Sequence, residues 1–275
     1  MGILDFFRNL CRPSWERQLQ KHLAFFNLPA EDREIILKKS GLSSMEKSLR
    51  STTFNSNLEK ASAYATCASM YIKSSDYKKA LRLCKQAIEF DSTCSDAYCN
   101  LGVTYGHIGK YREAIAALSL ALRHNPNDLD IYANLSKAFI ETKQYDESLD
   151  TCNKGLSIDP KNAPLLLSKA YTYHMMDKYG DAITWYLNKI QVDDNNDRTY
   201  LNIGIMYLLL NNYEEAIRYC KMVGGNSDVS CGASYLLGIV YLVLGDKRSA
   251  MEQYNLIKEI DSEMGSELLS RINAS

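Results

Sequence analysis

The sequence predicts an all-α solenoid of helix-turn-helix repeats preceded by a helical N-terminal cap, and three observations carry that prediction. A spacing of 34 residues runs through most of the 275-residue chain without an insertion or deletion, giving segments that start at Ala61, Ser95, Leu129, Ala163, Asp197 and Cys231. Within each segment the apolar residues recur at helical spacing rather than alternating as in a strand. Only five prolines are present, none deep inside an apolar run, which favours helices over sheets.

The second segment shows the pattern best: SDAYCNLGVTYGHIGKYREAIAALSLALRHNPND. Its eleventh position is aromatic in all six segments, as Tyr71, Tyr105, Phe139, Tyr173, Tyr207 and Tyr241. With 10% aromatics overall, that coincidence has a chance of about one in a million. The eighth position is always small (Ala68, Gly102, Ser136, Ala170, Gly204, Gly238), and so is the twentieth (Ala80, Ala114, Ser148, Ala182, Ala216, Ala250). Small residues at these two points let the two helices of a segment approach closely, while the aromatic fills space toward the next segment. Gly109 ends the first helix of the second segment and Pro126 stops its second. One such hairpin cannot bury its own apolar face, so stability comes from stacking.

These residues closely resemble the tetratricopeptide-repeat family over about Ala61 to Met264. The resemblance implies six repeats, at 61–94, 95–128, 129–162, 163–196, 197–230 and 231–264. It also implies a right-handed superhelix whose first helices line a concave groove that binds peptides or partner proteins. Four departures stand out: Lys189 at a usually small position, Ser234 and Lys247 at usually aromatic ones, and Gly224–Gly225 where a helix should still run. Two adjacent glycines cost about 1 kcal/mol each against Ala in a helix, so the second helix of repeat 5 is expected to end after Val223.

Residues 1–60 do not follow the period. Ile3, Phe6, Phe7 and Leu10 form one apolar stripe and Trp15, Leu19, Leu23 and Phe26 another, while Pro29 opens a third short helix closed at Gly41. Ten Lys/Arg against seven Asp/Glu give this segment a formal charge of +3. It reads as a cap over the first repeat, as a plug in the groove, or as docking helices, with peripheral membrane contact through residues 1–12 left open. At the other end, residues 265–275 read as a short polar capping helix.

Composition narrows the function. The net charge of −1 with 24% charged residues offers no basic face for nucleic acid. The most apolar stretch, Ala233 to Gly245, is about 13 residues and too short to cross a bilayer. Eight cysteines, with Cys67, Cys84, Cys152 and Cys220 at positions expected to be buried, fit a reduced cytoplasmic protein better than a disulfide framework. His22, His107, His124 and His174 are scattered without metal-ligand spacing, so no metal and no cofactor is expected. The run GVTYGHIGKY fails as a phosphate loop, because Thr104 and Tyr111 stand where Gly and Ser or Thr are needed. No nucleophile–base arrangement rises above background, and no enzyme activity is expected.

The groove is the candidate site. Position six carries Asn100, Asn134 and Asn202, with Ser168 in the gap, which would stack amides along the cavity and grip the backbone of an extended ligand. Around that row, Lys137 belongs to a polar half and Tyr171, Met175, Leu201, Ile205, Tyr235, Ile239 and Leu242 to an apolar half. An open apolar surface of that extent needs a partner segment or part of this chain to cover it. Family members that hold the acidic C-terminus of heat-shock chaperones place basic residues on three successive first helices. Here those positions read Ala65, Ser69, Asn100, Asp130 and Asn134, or Cys99, Val103, Asn134, Pro164 and Ser168 one repeat later. Neither set holds a cation, which argues against that ligand. The expected role is a non-catalytic adaptor for a peptide or protein partner. A recruiting subunit for an enzyme on another chain and a homo-oligomerising scaffold are the alternatives.

Overall fold

The computed structural model describes residues 46, 49, 53–54, 56–193, 196–224 and 228–275. Thirteen α-helices follow one another among these residues, and none of them is in a strand. Six pairs make the repeats: α1 (Asn57–Lys73) with α2 (Tyr77–Phe90), α3 (Ser95–His107) with α4 (Tyr111–His124), and α5 (Leu129–Glu141) with α6 (Tyr145–Ile158). The series continues with α7 (Ala163–Met175) and α8 (Tyr179–Ile190), α9 (Asp197–Leu209) and α10 (Tyr213–Lys221), then α11 (Asp228–Val243) and α12 (Lys247–Ile257). A single helix, α13 (Ser262–Ala274), follows. The helices expected between Ile3 and Gly41 lie outside the described residues.

Every turn between the two helices of a repeat has the same backbone. The fifteenth residue is left-handed in all six: Ser75, Gly109, Lys143, Asp177, Asn211 and Gly245 have φ between 57° and 78°. Glycine takes that conformation freely, whereas the other four side chains are strained by it. The next residue is the N-cap of the second helix. Asp76, Asn212 and Asp246 cap with their side chains, accepting from Lys79 N, Glu215 N and Ser249 N. Lys110, Gln144 and Lys178 stand in the same place without a side-chain cap.

The described residues fall into two compact units, one ending at Ser168 and the other starting at Lys169. In the first, α3 packs on α1, α2, α4 and α5. Its core holds Ala61, Ala68, Tyr71, Ala80, Leu83, Cys84 and Ala87, all buried. The small residues work as their spacing suggests: a Cβ at Gly102 would lie 2.5 Å from Leu118 Cγ and 3.2 Å from the Ala114 carbonyl oxygen. In the second unit α9 packs on α8, α10 and α11. A Cβ at Gly204 would meet Cys220 Sγ at 2.5 Å. Burial pushes the thiols up, to about 11 for Cys67 and about 12 for Cys84, so they act as apolar filler.

Several boundaries differ from the expected ones. The first repeat helix begins four residues early, at Asn57, because Ser56 caps it by accepting from Glu59 N at 3.1 Å. The first helix of repeat 6 begins at Asp228, ahead of Cys231. The second helix of repeat 5 does end early, at Lys221, with nine residues where α2, α4 and α6 have 14. Beyond it, Gly224 N donates to Asp197 Oδ1 at 3.2 Å. Lys189 fits its small-residue position because its buried ammonium pairs with Asp193 at 2.8 Å and donates to Asn196 Oδ1 at 3.1 Å.

The C-terminal segment is more than a short polar cap. Its helix starts at Ser262, capped by Asp261, and buries Gly265, Leu268 and Ile272. Leu268 sits against Gly238 of α11, where a Cβ would come within 2.7 Å of its Cδ2.

Candidate functional site

Three residues apart on α5, Asn134 and Lys137 share one face of that helix. Opposite them α3 contributes Val103, Gly106 and His107, and α4 contributes Tyr111, Ala114 and Leu118. Together with Ala138 and Glu141 these side chains line a pocket of about 160 Å³. Gly106 leaves the pocket open, since a Cβ built there would touch nothing within 4 Å. The ring of His107 is held from behind by Tyr77, stacked at 5.0 Å and 11°.

Two polar side chains of this pocket differ from the rest. Among the described residues the Asn134 side chain makes no hydrogen bond and Lys137 makes neither a hydrogen bond nor an ion pair. Burial pushes the Lys137 ammonium below its ordinary pKa, and the Asp130 carboxylate only partly opposes the shift. A half-desolvated cation beside an amide, over an apolar floor, is an arrangement that recognises a polar or anionic group on an apolar stem.

The other site residues expected from the sequence are placed differently. The row of amides does not stand free. Asn100 donates from Nδ2 to the Ala65 carbonyl at 2.9 Å, tying repeat 2 to repeat 1. Asn202 is 2% exposed and donates to the Tyr186 hydroxyl at 3.3 Å, its Oδ1 buried without a partner. Ser168 is buried as well.

Nor is the apolar half an open surface. Leu201 and Ile205 are fully buried in α9, a helix with eight of thirteen residues inside. Tyr235 and Ile239 are buried in α11, where Tyr235 bonds Glu267 and Arg271 of α13. Tyr171 packs edge-on against the His174 ring at 5.6 Å, and Met175 and Leu242 are half-buried. Repeat position alone cannot tell a groove residue from one that a neighbouring helix covers. The lining residues that reasoning did not place in the groove include Val103, Gly106, Tyr111, Leu118 and Ala138. Gly106 could have been found, since its repeat position faces Lys137 across adjacent first helices.

Among the described residues no group of His, Cys, Asp or Glu is arranged to hold a metal ion, and no helix is long and apolar enough to cross a membrane. Stacked helical hairpins with small residues at their crossings and a pocket between first helices define a helical-repeat interaction scaffold. The chain belongs to the tetratricopeptide-repeat family. Family models described as tetratricopeptide repeats match residues 151–184 and 198–223. One for the C-terminal ARM domain of tetratricopeptide repeat protein 21 matches residues 31–166.

Solved structures agree on the fold. PilW, a type IV pilus biogenesis factor, is similar at 17% identity with a TM-score of 0.68, over 76% of this chain and 98% of that one. PilF of Pseudomonas aeruginosa gives 16% and 0.64, over 76% and 96%. A chain of the APC/C hetero-tetramer Cut9–Hcn1 gives 17% and 0.67 over 86% of this chain, which spans 47% of that one. No curated protein gives a sequence match.

Proposed function

We propose that the protein is a non-catalytic adaptor that holds an extended segment of another polypeptide against the first helices of repeats 2 and 3. The observation behind this reading is the pocket between α3, α4 and α5, where Asn134 and Lys137 line an apolar floor and make no side-chain hydrogen bond or ion pair among the described residues. The apolar repeats 4 to 6 offer less, since Leu201, Ile205, Tyr235 and Ile239 are already buried within the chain.

The test is site-specific photo-crosslinking. A photoreactive residue at Val103, which lines the pocket, should label a discrete partner polypeptide, and one at exposed Lys85 of α2 should not. Replacing Asn134 and Lys137 together by Ala should weaken partner binding about thirtyfold to two-thousandfold, given one neutral and one charge-assisted contact. Equal labelling from both positions, or full binding by the double variant, would place the partner elsewhere.

A further inference from the structure

We propose that the groove between α4, α5 and α6 is a second docking surface, fitted to a basic segment of a partner polypeptide through an arginine side chain. The groove encloses about 380 Å³. Its floor is apolar, made by Leu122 of α4 and by Tyr132, Leu135 and Phe139 of α5. Tyr132 and Leu135 are buried, and Leu122 and Phe139 are half-buried. Its rim is the exposed side of α6, where Asp146, Glu147 and Asp150 follow one another, with Lys154 a turn further on. Lys154 is the cation of this lining, and it is committed to Asp150 at 2.6 Å. Asp146 and Glu147 make no side-chain hydrogen bond or ion pair among the described residues. Arg112 of α4 lines a neighbouring cleft with Thr142 and Gln144 rather than this groove.

An apolar floor beside a negative rim is complementary to a cation carried on an apolar stem. The floor takes the methylene groups out of water while the charge remains at the exposed rim. Arginine fits better than lysine, because its planar guanidinium can lie on the aromatic surface of Phe139 and spread its donors over two carboxylates. The occupant differs from any segment held in the pocket of Asn134 and Lys137. On α5, Asn134, Lys137, Ala138 and Glu141 share one face, whereas Tyr132, Leu135 and Phe139 share another. Repeat 3 therefore carries two separate surfaces, and this inference stands whether or not the reading of the first pocket does.

The experiment places 4-fluorophenylalanine at position 139 of the full chain, so that a single fluorine signal reports on the groove. The probes are acetyl-Ala-Leu-Arg-Leu-Ala-amide and its counterparts with citrulline or lysine in place of arginine. The expected result is a saturable shift with the arginine peptide, at least about tenfold weaker with citrulline, which keeps the shape and loses the charge. Asp146→Asn with Glu147→Gln should weaken the response as much. Glu89→Gln with Glu113→Gln, exposed on α2 and α4, should leave it in place, and both variants should keep the circular dichroism spectrum of the parent. In protein without fluorine, the anisotropy of a fluorescein-tagged arginine peptide should give the same ranking. An unmoved signal, equal responses to arginine and citrulline, or equal losses from the two carboxylate pairs would overturn the proposal. A lysine peptide that binds as tightly as arginine would overturn the arginine assignment. Loss of the response in Asn134→Ala with Lys137→Ala would place the peptide in the other pocket and overturn the second surface.

Discussion

Lys143 is held left-handed at φ 62° and is exposed, with no side-chain bond to compensate its strain among the described residues. Its equivalents Asp177 and Asn211 differ, each accepting from the tyrosine hydroxyl two residues on, at 2.8 and 3.1 Å. Lys143→Gly should therefore stabilise the fold by about 0.5–1 kcal/mol, the relief of strain exceeding the entropy cost of glycine. Thermal or urea unfolding checks this, and a lower midpoint would show that the strain is compensated elsewhere. The asparagines separate in a similar way. Asn100→Ala removes the bond to the Ala65 carbonyl and should cost about 0.5–1.5 kcal/mol of stability. Asn134→Ala breaks no hydrogen bond among the described residues, so it should leave the melting point in place and act on partner binding alone. Both variants moving together in either assay would contradict the assignment.

At the scale of elements, the short α10 predicts where local opening begins. It has nine residues and is followed by Met222 and Val223 outside the helix, with Gly224 tethered by one bond to Asp197. Amide exchange at Cys220–Gly224 should be faster than at Leu118–Leu122 in the 14-residue α4, and equal protection would count against the idea. The double glycine made this shortening legible in the sequence. The start of α1 was less legible, because Ser56 lies ahead of the repeat motif and only its cap bond to Glu59 reveals it. The extent of α13 was missed for a related reason. Its apolar residues are few, yet Leu268 and Ile272 lie one turn apart and both face inward.

For the molecule as a whole, the 34-residue period made the order of helices legible, because each repeat restates the same small and aromatic positions. The candidate site was legible only in part. Lys137 and Asn134 could be named from their repeat positions, but whether a groove position is open depends on which helix lies over it. Asn202 and Leu201 hold groove positions and are nevertheless buried. No periodicity encodes that, since it arises from contacts between segments distant in sequence.

A stack of identical units has no intrinsic length, since the face each unit offers to the next is also the face another molecule could use. In this chain α13 lies on that face of repeat 6, with Leu268 against Gly238 and Glu267 and Arg271 bonded to Tyr235. It covers part of the apolar side of α11 and leaves Glu263 and Ser266 exposed. Cutting the chain after Asp261 should uncover Tyr235 and Gly238 together. The shortened protein should then associate with itself as concentration rises, visible by light scattering, while the full chain keeps a constant mass over the same range. A truncated protein that stayed monomeric and melted normally would show that α13 has no part in limiting growth.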